Sequence, residues 1–201
     1  MSKRRRSAIF ALCLLMAAVA VWLDRSSIRR DRGARPESTE QAKVQDYEKY
    51  HEKIFTVLKV VDGDTIDIDV PDGKYNHTRI RLWGVDTPET KNQKTGVMYF
   101  GPEAADFTTK SALGKSVTVY LDETNTRDKY SRLLAYIKLP DGSFLNEALL
   151  SEGFAYADTR FRHSFYNQYK QLEAAARGQK KGLWLKVIPE QMPKWRRERK
   201  Q

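Results

Sequence analysis

The sequence predicts an α+β domain, mainly β: five short strands closing into a small barrel, about three helices, and an apolar helix ahead of it. Three observations lead there. Runs rich in Val, Ile, Thr and Tyr recur with period two, separated by Gly, Pro and Asp turns. Helical periodicity occurs once between the third and fourth runs and twice after the fifth, which argues against an alternating, doubly wound sheet. The chain has 201 residues, enough for one good core with tails.

The net charge of +10 is not a property of the central domain. Residues 1–35 hold nine Lys/Arg against two Asp, and residues 186–201 hold six against two Glu; between them 21 basic residues face 22 acidic ones. Bulk positive charge therefore cannot be what a central site uses to attract an anionic partner. Cys13 is the only cysteine, which excludes a disulfide framework and a thiolate metal site.

In chain order, Lys3-Arg4-Arg5-Arg6 precedes an uncharged run at 7–23. Its 17 residues span ~25 Å as helix, short of a comfortable membrane crossing. A basic start and an apolar core form an export signal, cleaved or kept as a membrane anchor, so residues 1–23 place the domain outside the cytoplasm. Residues 24–53 read as a polar linker with a short helix at 44–50. Strands are expected at 54–61, 65–70, 78–85, 115–121 and 133–139. A helix begins at Gly101-Pro102, where Pro suits the first turn. Further helices are expected at 144–152 and 164–177, the latter capped by Ser164. Trp184 returns to the core, the domain ends near 186, and the basic tail 187–201 is expected to be mobile. This arrangement is that of a closed barrel of the oligonucleotide-binding type. His51, His77 and His163 lie outside every motif and are expected at the surface.

Three motifs carry chemistry. Asp62-Gly63-Asp64 is a tight turn, Arg81 to Glu89 is an apolar strand that stops in charge at Pro88, and Arg127 to Arg132 is a charged loop entering a strand. Each alone reads as a turn, a strand stop or a solvated loop. In a meander, the turn at Asp64 and the strand end at Asp86 fall at one end of neighbouring strands. Asp64 and Asp86 then have the hard oxygens to share a divalent cation with a carbonyl and waters. Arg81 and Arg132 supply forks for phosphate oxygens, and Glu89 stands where it can contact an attacking water. The set suits hydrolysis of a phosphodiester.

Asp62-Gly63-Asp64-Thr65, Arg81 with Asp86-Thr87-Pro88-Glu89-Thr90-Lys91, Gly101-Pro102-Glu103-Ala104, Asp128-Lys129-Tyr130-x-Arg132, and Asn146-Glu147-Ala148-Leu149 follow one another in order. Over 54–186 the chain resembles the thermonuclease family, the staphylococcal-nuclease-like domain. The resemblance implies Ca2+-dependent cleavage of DNA and RNA to 3′-phosphate products. It implies metal ligation by Asp64, Asp86 and the Thr87 carbonyl with Asp62 in support, catalysis by Arg81, Glu89 and Arg132, and substrate contact by Lys129, Tyr130 and Tyr156. The family presents a second tyrosine where this chain has Asp158, with Phe161 or Tyr166 as substitutes. The alternative is a non-catalytic nucleic-acid-binding module tethered to a membrane. No protein partner is implied, and a monomer is expected.

Overall fold

A computed structural model describes residues 35–90 and 96–198. The segment 7–23 expected to form the apolar helix lies outside them. Among the described residues no helix is long and apolar enough to cross a membrane. The chain divides into two compact units, Met1–Gln45 and Asp46–Gln201, and the barrel belongs to the second.

Helix α1 runs Arg35–Tyr50, far longer than the short helix expected at 44–50. Its C-terminal turn is tied down by contacts with distant residues. Asp46 accepts bonds from Thr126 Oγ1 at 2.8 Å and from the Arg127 guanidinium. Tyr50 is fully buried, its hydroxyl 3.1 Å from Thr78 Oγ1. His51, expected at the surface, is half-buried, and its Nδ1 accepts from Leu121 N at 3.0 Å.

Strands β1 (Lys53–Asp62), β2 (Thr65–Ile68), β3 (Thr78–Leu82), β5 (Ser116–Leu121) and β6 (Leu133–Lys138) close a barrel in the order β1-β2-β3-β6-β5. The β3–β6 pair is parallel, with Arg81 opposite Leu134; the other pairs are antiparallel. β1 is long enough to edge both β2 and β5, and two register shifts bend it around the barrel. Inside pack Val57, Ile66, Ile68, Ile80, Leu82, Val117, Val119, Leu133 and Ile137. At roughly 25 cal/mol per Å² of apolar surface removed from water, such a core supplies the main force holding the turns in register.

The expected strand 78–85 is broken. Gly84 takes φ 79°, and a Cβ there would come within 2.5 Å of the His163 ring. The chain turns at Trp83-Gly84 and resumes as β4 (Val85–Asp86), which pairs with β7 (Tyr156–Ala157) in a separate two-stranded sheet. This break delivers Asp86 to the barrel rim.

Helix α2 (Gly101–Ala112) has Pro102 in its first turn and buries Ala104 and Thr108. Helix α3 (Leu145–Ser151) is stapled to the barrel by Asn146. Asn146 Nδ2 donates to the Trp83 and Ala135 carbonyls, and its Oδ1 accepts from Ile137 N. Helix α4 is Tyr166–Gly178, without the Ser164 cap; Ser164 N instead donates to Asp122 Oδ2 at 2.8 Å. His163 is buried, not at the surface: it lies among Trp83, Tyr136 and Tyr169, with Nδ1 3.1 Å from the Tyr136 hydroxyl. His77 is half-buried beside Asp67.

Trp184 is in a buried cluster as expected. The tail beyond 186 is ordered where described. Pro189–Gln191 forms a 3₁₀ turn and Lys194–Arg197 a single helical turn, α5. Arg196 bonds Glu173 at 2.7 Å and lies over the Tyr156 and Trp184 rings. The tail's aromatic and basic residues are thus used in packing.

Candidate active site

The site forms where the β1–β2 turn, the end of β3 and β4 meet. Gly63 makes the turn tight enough to fit: a Cβ there would sit 2.8 Å from Thr87 Oγ1 and 3.0 Å from Ala104. Thr108 Oγ1 of α2 fixes the turn by donating to the Gly63 carbonyl at 2.5 Å. Asp62 Oδ1 accepts from Gly63 N and from Thr90 Oγ1. Asp64 Oδ2 accepts from Thr87 N at 2.8 Å, linking the two acidic segments through a backbone bond.

Arg81 joins the carboxylates. Its Nη1 pairs with Asp64 Oδ2, and its Nη2 with Asp86 Oδ1 at 2.6 Å. Burial works against the Arg81 charge, but Asp64, Asp86 and Asp158 outweigh it and hold the guanidinium above its ordinary value. Burial raises Asp86, with Arg81 opposing and Asp64 adding to the rise. Glu89 is exposed, yet partial desolvation pushes its carboxyl up to about 7. The charges of Asp62, Asp64 and Asp86 add to that rise, so the acids outnumber the cations near them. Gly101 holds α2 against this segment, since a Cβ there would come within 2.6 Å of the Glu89 carbonyl.

Asp62, Asp64, Arg81, Asp86, Thr87 and Glu89 therefore converge. Among the described residues no three acidic or imidazole side chains are already arranged as metal ligands. The donor chemistry nevertheless fits a hard cation. Two carboxylates share one guanidinium, a third and fourth carboxylate stand by, and the buried Thr87 Oγ1 has no partner among the described groups.

Arg132 is not bonded to this cluster. Asp128 holds it through Nε at 2.8 Å and Nη2 at 2.7 Å. Lys129 and Arg132 lie over the ring of Tyr130, which is 68% exposed. Tyr130 and Arg132 line a cavity of about 560 Å³ with Tyr75, His77, Arg79 and Arg127, so the loop offers a basic and aromatic surface. Tyr156 departs from expectation. It is 1% exposed and edge-on to Trp184, which leaves no ring face for a nucleotide. Phe161 is exposed and packs on Trp83, and Tyr166 lies under Arg162.

Two further groups reach Asp86 that the motifs did not single out. Arg160 Nη2 is 3.2 Å from Oδ1, and Trp195 Nε1 donates to Oδ2 at 2.8 Å. The signal available for the first was its place two residues after Asp158, where a tyrosine was expected. For the second it was a tryptophan set in a basic tail.

A closed five-stranded barrel with a carboxylate–arginine rim defines a nuclease-like class of protein. Residues 79–186 match the family model for staphylococcal nuclease homologues, and the chain belongs to that family. It is 38% identical over 135 residues to a thermonuclease of Staphylococcus hyicus, covering 67% of this chain and 77% of the relative. It is 41% identical over 134 residues to a thermonuclease of Staphylococcus intermedius, covering 64% and 73%. Endonuclease YncB of Bacillus subtilis is 32% identical over 152 residues, covering 74% and 70%.

Proposed function

We propose that the chain is a nuclease, a phosphodiester hydrolase that requires Ca2+ and cleaves DNA and RNA to 3′-phosphate products. The observation that carries the reading is Arg81 bridging Asp64 and Asp86 beside a Glu89 whose carboxyl is raised to about 7. A carboxylate near that value is a competent base at neutral pH. Glu89 accepts a proton from water as its oxygen attacks phosphorus, and the bond to the 5′-oxygen breaks, that oxygen taking up a proton from solvent to leave as a hydroxyl. Arg81 donates to the phosphate oxygens as charge builds on them, and Arg132 approaches from the Tyr130 loop.

Asp64, Asp86 and the Thr87 carbonyl would hold the cation, with Asp62 in support. Bound there, it supplies charge neutralisation for the phosphate and a lowered pKa for water. The near-neutral charge of the central chain fits this assignment, because substrate binding then rests on a few aimed groups. Localisation outside the cytoplasm is part of the proposal, on the strength of the basic and apolar segment at 1–23.

The test is digestion of plasmid DNA and of RNA with Ca2+ and with EDTA, using the wild type and Glu89→Ala. Cleavage of both polymers with Ca2+ only, absent in the variant, is the expected result. Equal cleavage by wild type and variant would remove Glu89 from its role, and none under any divalent cation would overturn the enzyme reading.

A further inference from the structure

We propose that Arg160, braced by Asp158 and backed by Trp195, is a further phosphate-binding residue that takes a nucleotide flanking the scissile bond. The inference rests on the nuclease reading for the identity of the substrate, and on geometry for the site.

Asp158 forms a two-point brace: it accepts from Arg160 Nε at 2.8 Å and from Nη2 at 2.7 Å, and also from the Arg160 backbone N–H at 3.0 Å. Such a fork fixes the plane and direction of a guanidinium. Asp158 is itself buried, and its backbone N–H donates to the Gly84 carbonyl at 2.9 Å, so the brace is anchored to the turn that presents Asp86. The braced guanidinium lies 4.7 Å from the Trp195 ring centre, a stacking distance. The bonds among the described residues use Nε and Nη2, leaving the donors on Nη1 for a ligand.

The position matters more than the charge. Arg160 and Arg81 both donate to Asp86 Oδ1, at 3.2 and 2.6 Å, so the two forks converge on one carboxylate from different elements. Arg81 is mostly enclosed, whereas the Arg160 side chain is 36% exposed. Beside them is a cleft of about 490 Å³ lined by Asp86, Glu89, Tyr99, Arg160, Trp195 and Arg197. Its lining combines acids, Glu190 among them, with cations and aromatic rings, and the tail supplies part of the wall. That pairing of positive groups with stacking surfaces is what a nucleic-acid strand requires. The tail forms this wall because Met192 and Trp195 pack on the cluster of Tyr156, Leu183 and Trp184. Tyr156 is thus spent as a support, and the guanidinium two residues beyond Asp158 takes over the phosphate contact that a tyrosine would make.

The test measures binding of a fluorescein-labelled single-stranded oligodeoxynucleotide in a Glu89→Gln background, alongside steady-state kinetics with Glu89 intact. Arg160→Ala should weaken binding about tenfold, as loss of a charge-assisted hydrogen bond does. It should raise KM more than it lowers kcat and make the salt dependence shallower by about 0.7 in log–log slope. Arg160→Lys should restore part of the affinity, and Asp158→Asn and Trp195→Ala should each weaken binding a few-fold. Unchanged affinity, KM and salt slope in a folded Arg160→Ala protein overturns the proposal. A chain ending at Ile188 that binds more tightly or cleaves faster also overturns it, since the segment would then be a lid. If no variant cleaves but the binding series holds, the nuclease reading fails and the phosphate site stands.

Discussion

Two clusters in this molecule have the same inventory and opposite character. Arg81 bridges Asp64 and Asp86; Arg127 bridges Asp46 and Asp72, with Nη2 2.6 Å from Asp46 and Nη1 2.6 Å from Asp72. In the second, the hydrogen bonds to Asp46 lead in raising the guanidinium, and those to Asp72 add to it. Thr126 and the Ser131 carbonyl complete its bonding. That cluster ties the end of α1 to the Tyr130 loop. The first has two more carboxylates beside it, a Thr87 hydroxyl without a partner among the described groups, and a cleft on one side. An arginine between two aspartates is therefore not a site by itself. Excess acid is what distinguishes one that can bind a cation, since Arg127 and Asp72 border a cavity as well.

The sharpest way to break this comparison is to disable each cluster and measure both turnover and stability. Glu89→Gln should lower kcat by about 10²–10⁴-fold, the usual range for a lost general base, with the fold intact by circular dichroism. Arg127→Ala should instead leave Asp46 and Asp72 uncompensated and destabilise the domain by about 3 kcal/mol, near the low end for a broken buried pair because Arg127 is partly exposed. Measured well below its melting point, that variant should retain most of its activity per folded molecule. A folded Arg127→Ala protein with turnover as low as Glu89→Gln would show the two clusters to be one functional unit.

Cation linkage separates them again at slightly smaller magnitude. Saturating Ca2+ at about 100 times its dissociation constant should stabilise the wild type by about 2.7 kcal/mol in thermal melts. Asp64→Asn should abolish that shift, and Asp46→Asn should preserve it on a lower baseline. A Ca2+ shift that survives Asp64→Asn would move the metal away from the proposed pair.

The parts of this comparison that the sequence made legible are the local ones. The Asp62-Gly63-Asp64 turn and the Gly101-Pro102 helix start are set by backbone chemistry within a few residues, and both appear where expected. The barrel followed from period-two runs, and α3 and α4 from helical spacing. What was not legible depends on distant partners. The anchoring of α1 rests on Asp46 and Tyr50 meeting residues up to 81 positions away. His163 is buried by an aromatic cage assembled from the turn after β3, from β6 and from α4, which no window of sequence contains. The break at Trp83-Gly84 was hidden because a glycine inside an apolar run reads equally well as a continuous strand. Trp195 was missed as an Asp86 partner because a tail of basic and aromatic residues gives no sign of where it will dock, and Arg160 because it reaches Asp86 from 74 positions away.

The smallest effect tests the electrostatic difference directly, through the pH dependence of stability without metal. Glu89 binds its proton up to about 7 in the folded protein, whereas an unfolded glutamate releases it near 4.3. Between those values the folded state holds more protons than the unfolded one, so stability falls as pH rises through the window. Below it both states are protonated and the term vanishes; above 7 the penalty is complete. Glu89→Gln removes a charge that the folded site resists. In EDTA the variant should therefore melt higher than wild type at pH 8 and at the same temperature at pH 4. Asp46→Asn should show the opposite sign at pH 8, because Asp46 is met by Arg127 and Thr126 while Glu89 faces three aspartates. If Glu89→Gln lowers the melting temperature at pH 8, the cluster around Arg81 is as well compensated as that around Arg127, and the excess of acid assigned to the site is not there.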